Sequence, residues 1–196
     1  MQDQPILVIG ATGKTGSRVI ARLEDKGITV RRGSRRADIP LDSEAPETWA
    51  PALTGVSKAY VTYFPDLAFP GAVEKLEAFT KVAAETGLEH LVLLSGRGEH
   101  FASMGEDIVR ESGLPFTIVR AAWFAQNFSE GYLRDPILGG MLPMPGGDIA
   151  EPIIDIDDIR NAYVTDGVER ALGRPARDFI TFAEAAASSG VWDAAA

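Results

Sequence analysis

The sequence predicts an α/β fold in which helices cover both faces of a parallel sheet. Strand and helix patterns alternate along the chain, and the strand patterns are short continuous apolar runs. The first strand leads directly into a glycine-rich loop that opens a helix. Continuous apolar strands are typical of parallel sheets that are buried on both faces. We therefore expect ligands to bind beyond the carboxyl ends of the strands.

The predicted elements follow one another in a regular order. The strands are Ile6–Ile9, Ile28–Arg32, Ala59–Tyr63, Leu91–Leu94 and Phe116–Val119. The helices are Ser17–Lys26, a short segment around Trp49 and Leu53, Gly71–Thr86 and Met104–Ser112, each with apolar residues at helical spacing. Residues 121–150 are rich in Gly, Pro and aromatic residues and are predicted to be loops. We divide the chain into a core, residues 1–120, and a smaller C-terminal lobe and tail, residues 121–196, packed as one unit.

Composition narrows the class of protein. The chain has 196 residues, no cysteine and a net charge of −9. The absence of cysteine excludes disulfides and thiolate chemistry, and the acidic balance argues against nucleic-acid binding. We find no signal peptide and no apolar run long enough to span a bilayer. The expectation is a cytoplasmic enzyme with no membrane or nucleic-acid partner.

The loop GATGKTG, residues 10–16, has two interpretations. A triphosphate-binding loop ending at Gly13-Lys14 requires a glycine at position 8, where the sequence has Val8. A dinucleotide-binding loop fits better. Gly10 permits the tight turn, Gly13 lets the backbone approach a pyrophosphate, and Gly16 lets the helix pack closely on the sheet. The alternative is that the loop is an ordinary glycine turn that binds no ligand.

The segment after the second strand favours NADP(H) over NAD(H). An NAD site has an acidic residue about twenty residues after the loop, to hold the ribose 2′-hydroxyl. No acid occurs between Ile28 and Ala37, where four arginines stand instead. Arg35 and Arg36, together with the hydroxyl of Ser34, suit a 2′-phosphate through charge-assisted hydrogen bonds. A solvated basic turn is the structural alternative.

Several longer stretches carry a family resemblance. They are ILVIGATGKTGSRVIARL, the arginine turn, LVLLSGRGE, SGLPFTIVRAAWFAQNFSEG and EPIIDIDDI. Together they resemble the NmrA-like family of atypical short-chain dehydrogenase/reductases, from about Pro5 to Ile159. The resemblance implies a Rossmann doubly wound sheet with a small substrate lobe. Such proteins include NADPH-dependent quinone and azo-dye reductases and redox sensors that bind cofactor without turnover.

The resemblance also implies roles for particular residues. It places pyrophosphate contacts from Gly10 to Thr15, the 2′-phosphate on Arg35 with Arg36 beside it, and Ser95-Gly96 near the nicotinamide. The cofactor residues are then Gly10, Thr12, Gly13, Lys14, Thr15, Gly16, Ser34, Arg35, Arg36, Tyr63, Phe64, Ser95 and Gly96. The expected substrate residues are Trp123, Phe124, Asn127 and Phe128.

Two departures from the family pattern affect the expected chemistry. The Tyr-x-x-x-Lys pair of ordinary short-chain dehydrogenases is absent, because Phe64, Leu67, Pro136 and Gly167 stand four residues after the four tyrosines. The usual proton donor is therefore missing. The C-terminal lobe also looks shortened, which leads us to expect exposed apolar surface and a homodimer.

Other possible site residues have an ordinary alternative. His100 is a possible proton donor or an exposed loop residue, and Ser95 either hydrogen-bonds a substrate carbonyl or caps a turn. Tyr63 stacks on the cofactor, acts as an acid, or packs in the core. The acidic residues of DIDD are expected to cap a helix rather than bind a metal, so no metal is predicted.

Three functions fit these patterns. The first is an NADPH-dependent reductase that transfers hydride to a conjugated carbonyl or an aromatic, quinone-like small molecule. The second is a non-catalytic NADP(H) sensor, and the third is a cofactor-dependent cyclase or isomerase.

Overall fold

The sheet has five strands in the order β2-β1-β3-β4-β5. A computed structural model describes residues 4–63, 66–67, 69–142, 153–158, 184–185 and 187–189. The strands are β1 Ile6–Ile9, β2 Val30–Gly33, β3 Lys58–Val61, β4 His90–Gly96 and β5 Phe116–Ala121. The β1–β2, β1–β3 and β3–β4 pairings are all parallel. The expected α/β fold is confirmed, and the strand order reverses between β1 and β3, which is where open sheets of this kind bind ligands.

Helices connect the strands near the predicted positions. They are α1 Lys14–Glu24, α2 Trp49–Leu53, α3 Ala72–Glu85 and α4 His100–Glu111, with a 3₁₀ turn Pro46–Thr48 before α2. Two of them begin earlier than the apolar periodicity predicts. The first turn of α1 carries Lys14, Thr15 and Gly16, which apolar periodicity does not detect, and the first turn of α4 begins with a histidine and includes the exposed Phe101. No helix among the described residues is long and apolar enough to cross a membrane.

The core lies on both faces of the sheet. On one face Val8 packs with Ala11 and Ile20 of the loop and helix that follow β1. On the other face Leu7 belongs to a larger cluster that includes Trp49 and Phe79, whose rings meet edge to face at 5.7 Å. Successive residues of a strand point to opposite faces, so a continuous apolar strand supplies both clusters. This alternation is the physical reason why continuous apolar strands predict a sheet that is covered on both faces.

The chain divides into two compact units, Met1–Arg120 and Ala121–Ala196. The second unit contains β6 Trp123–Phe124, α5 Asn127–Glu130, α6 Arg134–Leu138, β7 Ile153–Ile154 and a 3₁₀ turn Ile156–Asp158. Strands β6 and β7 pair in parallel. The prediction that residues 121–150 are loops is wrong for the parts that form β6, α5 and α6. These elements are only two to five residues long, too short to show a period.

Helix α1 approaches the loop that precedes it without any intervening side chain. A Cβ built on Gly16 lies 2.1 Å from the carbonyl oxygen of Gly10 and 2.7 Å from its carbonyl carbon. Gly10 itself has a φ of +68°, in the left-handed region that favours glycine. Only hydrogen at position 16 allows the helix to sit this close to the end of β1.

We expect Gly16→Ala to destabilise the fold, although alanine normally stabilises a helix interior relative to glycine. The clash is with backbone, which moves only with the whole helix, so the expected loss is about 1–3 kcal/mol of unfolding free energy. Denaturant unfolding followed by circular dichroism measures it.

Gly105→Ala in α4 is the matched control. Gly105 is also a buried helical glycine, but its added Cβ meets only leucine methyl carbons, the nearest at 3.3 Å. Its expected change in unfolding free energy is smaller. Equal losses in the two variants would contradict the backbone-contact argument.

Candidate functional site

The carboxyl ends of β1 and β2 bring two predicted ligand-binding segments together. Ile9 is in register with Gly33, so the glycine loop and the arginine turn leave the sheet side by side. The amide of Ala11 donates to the carbonyl of Gly33 at 3.2 Å. Neighbouring strands lie about 4.8 Å apart. One small ligand can therefore contact both segments.

The glycine loop presents backbone amides at the start of α1. Gly13 is the residue before the helix, and its own amide donates to Gly10 O at 2.8 Å. The next backbone hydrogen bond along the chain runs from Ser17 N to Gly13 O at 3.0 Å. The amides of Thr15 and Gly16 precede that bond, and the first turn carries no acidic residue. This arrangement suits an anion, because the amides at a helix start and the helix dipole both favour negative charge.

The residues of the glycine loop differ in their exposure to solvent. Thr12 and Gly13 are exposed, Lys14 is half-buried, and Thr15 and Gly16 are buried. Burial raises the pKa of Tyr60, and the neighbouring Thr15 side chain lowers it by a smaller amount. Because Thr15 is itself buried, its backbone amide is the group we consider for a ligand.

The four arginines of the basic segment differ in whether their side chains have partners, and the two in β2 do. Arg31 donates through Nη1 to the carbonyls of Ala52 and Thr54, at 2.9 and 2.6 Å. Arg32 forms an exposed ion pair of 2.8 Å with Glu24.

Arg35 and Arg36 are both exposed in the turn after β2. Within the described part of the chain, neither side chain has a hydrogen bond or ion pair. The backbone around them is closed by bonds from Ala37 N and Leu41 N to the carbonyl of Ser34, at 3.2 and 3.0 Å. The turn is thus held by its backbone, while two guanidinium groups remain available for an anionic ligand.

A small, largely apolar cavity lies at the carboxyl ends of β1 and β3. Its volume is about 30 Å³, and Ile9, Trp49, Tyr63 and Lys75 are among the residues that line it. Lys75 forms an ion pair with Glu44, which raises the pKa of Lys75, and Tyr63 raises it further. Tyr63 and Lys75 thus line the same cavity. Phe64, the neighbouring predicted cofactor residue, lies outside the described residues.

The carboxyl end of β4 lies beside a buried carboxylate that has two partly exposed arginine partners. Ser95 donates its hydroxyl to Oε1 of Glu106, in α4, at 2.8 Å. Arg120 of β5 donates to the same carboxylate through Nε at 2.8 Å and Nη2 at 2.5 Å. Arg110 adds a third cationic contact at 2.7 Å. We refer to Ser95, Glu106, Arg110 and Arg120 as the Glu106 cluster.

The Glu106 carboxylate is ionised. Its side chain is only 1% exposed. Hydrogen bonds from Arg120 outweigh the effect of burial, and Ser95 and Arg110 add to them, so the pKa of Glu106 falls to about 2. A buried carboxylate held by guanidinium groups in this way cannot donate a proton near neutral pH.

Gly96 and His100 lie next to residues that do not belong to the Glu106 cluster. A Cβ built on Gly96 lies 2.5 Å from the Glu99 carboxylate, which therefore folds over the end of β4. Burial raises the pKa of Glu99, and the charge of Asp66 raises it further. His100 is the first residue of α4 and is exposed, with its ring edge to face against Phe101 at 5.6 Å.

The four predicted substrate residues lie at the start of the second unit. Trp123 and Phe124 form β6 and are half-buried, and Asn127 begins α5. Phe128 is only 2% exposed, so its ring packs inside this unit.

Gln126, which was not among the predicted site residues, fixes this segment. Its amide donates to Asp155 Oδ1 at 2.8 Å and accepts from Ile156 N at 2.9 Å. Asp155 Oδ1 also accepts from the amide of Asp157 at 2.9 Å, which agrees with a local capping role for the DIDD acids. Among the described residues there is no group of three potential metal ligands.

Sequence reasoning also missed Glu106 and Arg120 as partners. The pairing of Glu106 with Arg110 is visible as an i, i+4 spacing on a predicted helix. The contact from Arg120 comes from a different strand, and only the fold brings that strand alongside.

Comparison with known proteins supports the fold. No protein-family model matches the chain. The chain is 31% identical to the uncharacterized oxidoreductase YesF of Bacillus subtilis, over 84% of this chain and 60% of that protein. It is 31% identical to Prestalk A differentiation protein A of Dictyostelium discoideum, over 79% of this chain and 56% of that protein. An NAD(P)H azoreductase of Xenophilus azovorans is 27% identical, over 88% and 65% of the two chains. This chain thus spans between about half and two thirds of these relatives.

Solved structures share the architecture. A nucleoside-diphosphate-sugar epimerase of Staphylococcus aureus superposes with a TM-score of 0.66 at 18% identity, over 98% of this chain and 92% of that one. The triphenylmethane reductase of Citrobacter sp., complexed with NADP(H), gives 0.58 at 21% identity, over 79% and 62%. The chain has a Rossmann-like fold. At these identities the likeness is one of fold alone.

We expect Glu106→Ala to lower the unfolding free energy by about 1–3 kcal/mol near neutral pH, since it leaves the buried Ser95 hydroxyl without its acceptor and removes charge-assisted hydrogen bonds to two partly exposed arginines. Because folding lowers the pKa of Glu106 from its ordinary 4.5 to about 2, its contribution is complete above pH 4.5 and is lost as pH falls towards 2. The stability gap between wild type and variant should therefore narrow over that range.

Glu111→Ala is the control, since Glu111 is an exposed acid at the end of the same helix. Denaturant unfolding at several pH values measures both variants. A gap for Glu106→Ala that is independent of pH would show that the lost interaction is not ionic.

Proposed function

We propose that this chain is an NADPH-dependent reductase of the NmrA-like group. One observation carries the proposal: the start of α1, with the amides of Thr15 and Gly16, lies beside two arginines, Arg35 and Arg36, whose side chains have no partner among the described residues. The amides fit a pyrophosphate, and the arginines fit a 2′-phosphate at the adjacent strand end. The tight contact of Gly16 with Gly10 supports the same fit, since it keeps the helix start close to the sheet edge.

NADPH supplies hydride from its nicotinamide ring, and the protein's residues bind and orient it. The loop from Gly10 to Thr15 binds the pyrophosphate through those of its backbone amides that do not already donate within the protein, as the amides of Ala11 and Gly13 do. Arg35, with Arg36 and Ser34 beside it, binds the 2′-phosphate. Ser95-Gly96 stands at the end of β4, which we propose is the nicotinamide side. The names of the azoreductase and the triphenylmethane reductase support a reductase acting on conjugated acceptors.

We propose a conjugated, quinone-like acceptor as the substrate. Trp123 and Phe124 offer partly exposed aromatic rings for stacking on a flat molecule. A quinone that has accepted hydride becomes a hydroquinone anion, which takes its proton from water. Such a substrate needs no tyrosine–lysine pair from the enzyme.

A non-catalytic NADP(H) sensor is the second candidate. The observation that favours it is the Glu106 cluster, in which the Ser95 hydroxyl is already donated within the protein. With no Tyr-x-x-x-Lys motif in the sequence, the chain carries little that is specific to proton transfer.

Loss of NADPH absorbance at 340 nm in the presence of quinones distinguishes the two candidates. Oxidation that depends on the acceptor is expected for the reductase. Tight NADPH binding with no oxidation of any acceptor in the panel would favour the sensor. Product formation without net NADPH consumption would favour a cyclase or isomerase.

Arg35→Ala and Arg36→Ala should weaken NADPH binding selectively. Each removes a charge-assisted bond worth about 1.5–3 kcal/mol, so the expected loss is roughly 10- to 100-fold in Kd. NADH lacks the 2′-phosphate, so its Kd should change little. Titration calorimetry with both nucleotides measures the ratio.

Arg32→Ala is the matched control, because Arg32 belongs to the same basic segment but is paired with Glu24. It should leave the NADPH to NADH ratio unchanged. If wild-type protein bound NADH as tightly as NADPH, the 2′-phosphate assignment would be wrong.

A further inference from the structure

The hydrogen bond between Ser95 and Glu106 has a direction fixed by charge. Glu106 is buried, and Arg120 and Arg110 together donate three hydrogen bonds to it, between 2.5 and 2.8 Å. An ionised carboxylate only accepts. The single hydroxyl proton of Ser95 therefore lies on the 2.8 Å line to Glu106 Oε1.

We propose that Glu106 is a positioning residue that makes Ser95 a hydrogen-bond acceptor, so that the ligand group held at the end of β4 is an N–H or O–H donor. A serine oxygen that has given its one proton away retains only lone pairs. Ser95 is the second-last residue of β4, so it lies at the carboxyl end of the sheet, where ligands of this fold bind. The inference rests on the proposed function for the identity of that ligand.

The expected consequence is the opposite of the role that the sequence suggested for Ser95. A substrate carbonyl would meet the serine with lone pair against lone pair, and Ser95 could neither polarise nor protonate it. A donor would be held favourably. In the proposed complex two groups have that chemistry: the carboxamide NH₂ of the nicotinamide and the hydroxyl of a reduced acceptor.

The first experiment needs no ligand. Carbon-13 NMR of glutamate-labelled protein follows ionisation of Glu106 as pH falls from 4.5 towards 2. Ser95→Ala should raise the pKa of Glu106, because one donor to the carboxylate is removed. Ser103→Ala, at an exposed position of α4, should leave it unchanged.

A second variant guards against misfolding at this buried site. Ser95→Cys keeps the side-chain size but offers only a weak donor, so it should also raise the pKa of Glu106. Unchanged Glu106 ionisation in folded Ser95→Ala or Ser95→Cys would overturn the proposal.

The second experiment identifies the ligand group. The acetylpyridine analogue of NADP⁺ keeps the carbonyl but lacks the amide NH₂. If the carboxamide is the donor, wild type should prefer NADP⁺ by about tenfold, and Ser95→Ala should lose that preference. If the substrate is the source, NADP⁺-loaded wild type should prefer a hydroquinone over its quinone, and Ser95→Ala should lose that preference instead.

Both ratios remaining the same in wild type and Ser95→Ala would overturn the acceptor role. Failure of wild type to bind NADP⁺ or NADPH would refute the proposed function instead. The carbon-13 measurement would still decide whether Ser95 donates to Glu106.

Discussion

The contact between Gly16 and the carbonyl of Gly10 is the constraint on which the first half of the structure depends. No side chain fits between the helix and the loop, where an added Cβ would lie 2.1 Å from oxygen. Because α1 packs this close to the loop, its first amides lie near the carboxyl ends of β1 and β2. The same close packing places Ile20 in the core cluster with Val8 on that face. One backbone contact thus sets both the packing of a helix and the position of an anion site.

A second constraint, of a different kind, acts at the other side of the sheet. The Glu106 carboxylate joins α4 to the ends of β4 and β5 through charge-assisted hydrogen bonds. Burying an ion is costly, and the cost is offset here only because every donor is well placed. Arg110 and Arg120 are themselves partly exposed, so most of the desolvation falls on the carboxylate alone. Such a cluster specifies one arrangement of three elements more sharply than apolar contacts do.

The sequence predicted the fold well, because β1 and most of β4 are continuous apolar runs, strand and helix patterns alternate, and the glycine spacing fits one turn geometry. Arg35 and Arg36 were placed on the turn after the second strand, where the structure has them. Glu106 and Arg120 were not recognised as partners, because residues 14 apart on different elements meet only after the sheet has formed. The short elements of residues 123–138 were missed for a related reason. Gln126 and Asp155 hold part of this region through contacts 29 residues apart, and local periodicity carries no trace of them.

In the proposed reaction, the ends of β1 and β2 have a different role from the end of β4. At β1 and β2 the groups are cationic or amide donors, suited to phosphates that never react. At β4 the serine proton is committed to Glu106, so the protein does not offer it to a substrate there. Hydride transfer from NADPH still proceeds at such an edge, because the cofactor carries the reducing equivalent. Ser95 therefore supplies no proton to the reduced acceptor. An acceptor whose reduced form is an anion stable enough to be protonated by water, such as a quinone, suits this strand end.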